Sequence, residues 1–181
     1  NLSENTLVLL SSDNGPVLGD GYKDEAEERL GDHKPAGPLR GGKGTIWEGG
    51  TRVPFLARWP KRIRPGVSDA LVSQVDFCAT FAAWTSQQLT ANDAPDSVNV
   101  LPALLGESSI GREFMLEHSG VVALREGTSK LIPKDQKSGG GYALYDLKQD
   151  LGETTDVAAQ HPDLVDRLAQ RLQHLTGTNE K

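Results

Sequence analysis

The sequence predicts an α/β fold: an α/β region first, then a small antiparallel sheet closed by one helix. Three stretches of the 181 residues carry that reading. "TLVLLSS", Thr6–Ser12, is a continuous apolar run of the type buried on both faces in a parallel sheet. "EFMLEHSGVVALREGTSKLIP" alternates like a hairpin, with turns at Ser119-Gly120 and Glu126-Gly127. "DVAAQHPDLVDRLAQRLQHLTG" places Leu164, Val165, Leu168, Leu172 and Leu175 on one helical stripe. The division falls near Glu107, giving residues 1–107 and 108–181.

Between these landmarks the elements follow in order. Gly15 to Gly50 is a long connection rich in Gly, Pro and charge, and a loop beyond ~15 residues in a compact domain is normally functional or disordered. Inside it, Glu25–Leu30 suits one or two helical turns. "TRVPFLARWP", Thr51–Pro60, reads as a short strand that Pro54 confines to an edge or breaks. From Ser73, Val75, Cys78, Ala79, Ala82 and Ala83 form the apolar face of an amphipathic helix. "DSVNVLPALLGE" is a loop and a single turn, and the glycines of "SGGGYALYD" lead into a strand at Tyr142–Asp146. Pro162 suits the start of the closing helix and Gly177 its end.

Composition narrows the function. The apolar fraction is 36%, with 20 Gly and 10 Pro, which fits a folded chain with much irregular loop. A net charge of −6 without a long Lys/Arg block argues against a nucleic-acid partner. No apolar run approaches the ~20 residues that span a bilayer, so no membrane partner is expected. Cys78 is the sole cysteine, which rules out an internal disulfide; its apolar neighbours predict a buried structural thiol. The opening "NLSENTLVLL" has neither an initiator Met nor a signal-peptide pattern and reads as the interior of a longer chain.

Two constellations carry chemistry. After its apolar run the first strand stops at Asp13-Asn14-Gly15-Pro16, which is either a plain turn or part of a hard-metal site. A carboxylate and an amide oxygen suit Ca²⁺, whose shell of six to eight oxygens needs further ligands from elsewhere. In "DHKPAGPLRGGKGTIWEGGTRVP", His33, Arg40 and Lys43 gather cationic donors among glycines. That arrangement is a solvated basic loop or a cradle for a compact oxyanion such as sulfate or phosphate. It does not match a phosphate-binding P-loop, whose Lys is followed by Ser or Thr at a helix start.

"TLVLLSSDNGP", "HKPAGPLRGGKGTIWEGGTRVPFLARWP", "SQVDFCATFAAW", "ALREGTSKLI" and "YALYDLKQDLGETTDVA" together resemble the second half of a type I, formylglycine-dependent sulfatase of the alkaline phosphatase superfamily. The resemblance runs along nearly the whole chain, and the "SDNG" and "GGKGTxxEGGTRVP" pair is specific to that family. It implies that residues 1–107 are the C-terminal portion of an alkaline-phosphatase-like α/β domain with a mixed sheet and helices. Residues 108–181 would be the small C-terminal antiparallel subdomain with its closing helix. It also implies that Asp13 and Asn14 bind the divalent metal, Ca²⁺ with Mg²⁺ as the alternative, and that Lys43 acts on a sulfate oxygen as catalytic and substrate-binding residue. Arg40 and His33 fall where related carbohydrate sulfatases contact substrate. Glu48 and Arg52 are expected to brace the loop, Trp47 to pack rather than stack on a sugar, and His118 to be structural. His161 and His174, on the last helix, are expected to be exposed.

The sequence departs from the family pattern in one decisive respect. A sulfatase needs a C/S-x-P-x-R segment whose Cys or Ser becomes formylglycine, and Cys78 is followed by Ala79-Thr80-Phe81. The nucleophile is therefore expected upstream, and this piece alone is expected to be inactive. The function implied is hydrolysis of carbohydrate or aryl sulfate esters, with a sulfated small molecule or glycan as partner. Two alternatives stand beside it: a phosphate or phosphonate ester hydrolase of the same superfamily, and a non-catalytic module that binds sulfated glycans. The strand at Thr6–Ser12 is expected to leave unpaired edges that a missing N-terminal part, or self-association, would cover. Family resemblance favours a periplasmic or secreted location.

Overall fold

The computed structural model describes residues 2–17, 19–23 and 25–177. In chain order its elements are β1 (Val8–Ser11), α1 (Ala26–Leu30), α2 (Glu48–Thr51), β2 (Phe55–Arg58), α3 (Phe77–Trp84) and α4 (Leu101–Leu104). The hairpin strands β3 (Phe114–Ser119) and β4 (Val121–Glu126) follow, then β5 (Ser129–Pro133), β6 (Tyr142–Asp146) and α5 (Pro162–Thr176). Among the described residues no helix is long and apolar enough to cross a membrane. Two compact units form, each from two pieces of chain: Asn1–Ser11 with Phe55–Met115, and Ser12–Pro54 with Leu116–Lys181.

The first unit holds a two-stranded sheet in which β1 runs antiparallel to β2, with Val8 opposite Arg58 and Ser11 opposite Phe55. The described neighbour of β1 is thus antiparallel, where the apolar run suggested a parallel one. Alternation along β1 leaves Val8 and Leu10 48% and 60% exposed, with Leu56 of β2 at 60%. The other face is better covered, and the rings of Phe55 and Phe77 lie 5.9 Å apart.

The helix expected from Ser73 forms as a 3₁₀ turn, Gln74–Asp76, leading into α3. Its buried face is not the predicted one: Val75 and Cys78 are exposed, while Asp76 and Thr80 are fully buried. Rings decide the packing, with Phe77 stacked on Phe81 and Trp84 set against Trp59. Polar ties complete it. Thr80 Oγ1 accepts from the Val100 N–H, and Asp76 accepts from the Ser73 and Val98 N–H groups and from Arg112.

The second unit carries the four-stranded sheet in the order β3-β4-β5-β6, with β5 antiparallel to both neighbours. Its register defines two faces. Leu124, Leu131 and Leu144 form one row and are buried under α5, whose Leu168 and Leu172 point at them. Arg125, Lys130 and Tyr145 form the opposite row. That face, with Ala123, Ile132, Ala143 and Leu147, is covered by Ile46 and Trp47 from the long glycine-rich connection. The helix keeps the predicted bounds, and Gly177 ends it at φ 67°. Leu175, however, is exposed and lies outside the stripe, which Ala169 joins instead.

Candidate functional site

The site is built around one tight turn, Glu48-Gly49-Gly50 at the start of α2, and both sequence-predicted loops hang from it. The Gly15 N–H donates to the Gly50 carbonyl at 3.0 Å, which fixes the Asp13-Asn14-Gly15 bend. The Gly49 N–H donates to the Arg40 carbonyl at 2.7 Å and the Lys43 N–H to the Pro16 carbonyl at 2.9 Å. Thr45 Oγ1 closes the Lys43 loop through the Gly42 carbonyl, at 2.8 Å. Two glycines are required by this lacing. A Cβ on Gly15 would overlap the Gly49 carbonyl, and one on Gly49 would overlap the carbonyls of Arg40 and Gly41.

The structure therefore brings Asp13, Asn14 and Lys43 onto adjacent backbone segments. Asp13 and Lys43 are exposed and Asn14 is half-buried. Asn14 Nδ2 donates to the Gly15 carbonyl at 2.9 Å, so the amide is oriented with Oδ1 as its remaining acceptor. An acid and an amide oxygen form a donor set suited to a hard cation, but an incomplete one. Among the described residues no cluster of three or more His, Cys, Asp or Glu could hold a metal.

Arg40 lies flat on Trp47, 3.6 Å from ring to guanidinium carbon, and Nη1 donates to the Glu153 carbonyl at 2.8 Å. Trp47 in turn meets Tyr145 edge-on at 5.7 Å, so it packs, as expected. Burial, with the Asp156 charge, raises the Tyr145 hydroxyl above its ordinary pKa against the opposing pull of Arg40. His33 is exposed in the turn after α1, where its N–H closes onto the Leu30 carbonyl at 3.1 Å. Nothing bonds it to Asp13, Asn14 or Lys43 among the described residues. An open cavity of about 420 Å³ adjoins the loops, lined by Pro16, Lys34, Pro35, Ala36, Leu39 and Gly42.

Beneath the turn lies a charge cluster. Glu48 is fully buried; its Oε1 meets Lys130 Nζ at 3.0 Å and its Oε2 meets Arg125 Nη1 at 3.0 Å, with Arg52 at 3.7 Å. Lys130 Nζ also lies 2.7 Å from Glu117 and 3.2 Å from Glu153 Oε1, so it sits within ion-pair distance of three carboxylates, while Glu153 Oε1 and Glu117 Oε1 have no hydrogen-bond partner among the described residues. Glu153 Oε2 accepts the Glu48 N–H at 2.7 Å, and Glu117 Oε2 accepts from Thr51 Oγ1 at 3.1 Å. Burial opposes the Lys130 charge, but Glu117 and Glu48 outweigh it and hold the ammonium above its ordinary pKa. For Glu153 burial wins over the Glu48 N–H and Lys130, and its carboxyl is raised. The bracing role of Glu48 and Arg52 was legible in sequence; Lys130, Glu117 and Glu153 were not singled out. One signal pointed to Lys130: it shares strand parity with buried Ile132, and its neighbour Leu131 is buried on the other face.

This mixed helix and strand content is shared with solved sulfatase structures of alkaline-phosphatase-like fold. A structure described under metabolism of multiple glycosaminoglycans by Bacteroides thetaiotaomicron superposes with a TM-score of 0.88 at 38% identity, over 96% of this chain and 39% of that one. Ps i-CgsB, crystallised with k-i-k-neocarrahexaose, gives 0.75 at 27% identity, over 96% and 37%. The family model described as Sulfatase matches residues 1–87. N-acetylgalactosamine-6-O-sulfatase of Bacteroides thetaiotaomicron is 39% identical over 95% of this chain, and Arylsulfatase A of Homo sapiens 33% identical over 93%. The chain belongs to the sulfatase family. It spans 36% and 37% of the length of those two relatives.

Proposed function

We propose that this chain supplies the metal-loop and anion-loop part of the active site of a sulfuric ester hydrolase acting on carbohydrate or aryl sulfates. The observation that carries the reading is the lacing of the Asp13-Asn14 bend and the Lys43 loop onto the one Glu48–Gly50 turn. Residues 1–107 belong in this reading to the large α/β domain and 108–181 to its C-terminal subdomain. A formylglycine nucleophile upstream of Asn1 and a periplasmic or secreted location complete it.

Asp13 and Asn14 would hold Ca²⁺, which when bound supplies Lewis-acid polarisation of a sulfate oxygen. Lys43 presents an ammonium whose charge stabilises the negative charge that develops as the S–O bond breaks. Arg40 gives one N–H to the Glu153 carbonyl and also reaches the Tyr145 hydroxyl, and its remaining N–H groups suit a substrate anion or hydroxyl. His33 contributes at the rim. The cavity beside Pro16 suits the non-reacting part of the ester, such as a sugar ring.

The reading is tested on the full natural protein with 4-nitrophenyl sulfate and N-acetylgalactosamine 6-sulfate. Turnover should require Ca²⁺ or Mg²⁺, and Lys43→Ala should lower kcat/KM by about a hundredfold or more. Faster turnover of a phosphate or phosphonate monoester would assign the protein to phosphoryl chemistry. Ca²⁺-dependent binding of a sulfated glycan without turnover would make it a binding module.

A further inference from the structure

We infer that Lys130 is a positioning residue for the anion and metal loops, acting through Glu48 from the sheet face directly beneath the turn. This rests on the functional reading above. Glu48 is the first residue of the turn from which both loops hang, and its fully buried carboxylate has no solvent to hold it. Its orientation is set by Lys130 on Oε1 and Arg125 on Oε2, neighbours across β4 and β5. Lys130 alone also ties in Glu117 of β3 and Glu153, whose second oxygen takes the Glu48 N–H. Both ends of the Glu48 residue, backbone and carboxylate, are thus referenced to a single ammonium.

The cluster is electrically closed. Three carboxylates (Glu48, Glu117 and Glu153) face three cations, Lys130, Arg125 and the half-exposed Arg52. Removing the ammonium takes the cation from Glu117 and Glu153 and leaves Glu48 held on Oε2 alone, by Arg125 and Arg52, and the carboxylates relieve this by turning or by drawing in water. Glu48 can do neither without rotating the turn, and its rotation carries Gly49 N–H and the Gly50 carbonyl away from Arg40 and Gly15. Positioning is therefore separable from bulk stability. A variant that restores the charge count without restoring the Lys130–Glu48 tie should fold and still have displaced loops.

The experiment uses the full natural protein with Glu117→Gln, Lys130→Met, and the double variant Lys130→Met/Glu117→Gln. Glu117 lies on β3 and reaches α2 only through Thr51 Oγ1, a bond that the amide oxygen of Gln can still accept, so Glu117→Gln keeps the Lys130–Glu48 tie and is the control. The first readout is hydrogen exchange at the Gly15, Lys43 and Gly49 amides, which requires no turnover. The second is the dissociation constant for inorganic sulfate. In the folded double variant the three amides should exchange at least about tenfold faster and sulfate should bind about tenfold more weakly, the scale at which supporting-shell changes act. Glu117→Gln should stay within about twofold on both. Unchanged exchange at the three amides in the folded double variant would overturn the assignment. So would a double variant that fails to fold, since the ammonium would then be a stability element. If the unaltered protein binds no sulfate, the functional reading fails, while the exchange readout still decides the positioning role.

Discussion

The two compact units bury charge in different ways. In the second unit a sheet is covered on both faces, by α5 on the leucine row and by Ile46–Glu48 on the row of Arg125, Lys130 and Tyr145. Its ionic cluster is sealed inside that sandwich. In the first unit the two-stranded sheet is covered on one face only, and among the described residues its buried charge is one carboxylate, Asp76, held by two N–H groups and Arg112. A two-stranded ribbon with one wet apolar face is marginal by itself, whereas a four-stranded sheet with both faces dry is not. The candidate catalytic loops belong to the unit with the dry sheet, and their carbonyl-to-amide ties, at 2.7–3.0 Å, run within it.

The largest effect should come from striking the one buried carboxylate of the first unit. Asp76→Ala leaves Arg112 and the Ser73 and Val98 N–H groups without their shared acceptor, and should cost about 3–5 kcal/mol. Denaturant unfolding measures it, and a loss below about 1 kcal/mol would mean that the aromatic cluster, not Asp76, holds that unit. Next is Leu131→Ala in the second unit, a fully buried truncation expected to cost about 2–5 kcal/mol. Leu10→Thr, 60% exposed on β1, is the counterpart and should stay within about 0.5 kcal/mol; equal losses at Leu131 and Leu10 would erase the contrast between the sheets. Gly49→Ala comes third, at about 1–3 kcal/mol, because the turn must open to admit a Cβ against the Arg40 carbonyl. It should weaken sulfate binding by the full protein as well.

The smallest effect is a pH dependence confined to the second unit. Partial burial works against the Asp156 charge, but Lys134 and the Ala158 and Leu144 N–H groups outweigh it, and the carboxyl lies below its ordinary pKa. A depressed carboxyl contributes stability that is present above its unfolded value of about 3.9 and lost as pH falls through the folded one. Asp156→Asn should therefore lower Tm slightly at pH 7, and the gap to the unaltered protein should close as pH drops below about 4. A gap that persisted unchanged at pH 2 would assign the effect to packing at the end of β6 rather than to charge.

How much of this was legible depends on how local each feature is. The hairpin turns, β6 at Tyr142–Asp146 and the start and stop of α5 were read correctly, because Gly, Pro and short-range periodicity specify them within a few residues. The face of α3 was misread, since spacing marked Cys78 and Val75 while the rings of Phe77, Phe81 and Trp84 and the buried pair Asp76 and Thr80 set the packing. The direction of the β1 pairing was also misread, because an apolar run carries no mark of which way its neighbour runs. Within the site, the residue types at Asp13, Asn14, Arg40 and Lys43 stood out by chemistry, whereas their support did not. Lys130 meets Glu48 across 82 residues of chain. By itself, then, the sequence determined the local elements and the two loops proposed to carry the chemistry. Only the tertiary structure decided what holds those loops, because a buried ion pair between distant strands leaves no period or turn signature and exists only once both sheet faces are closed.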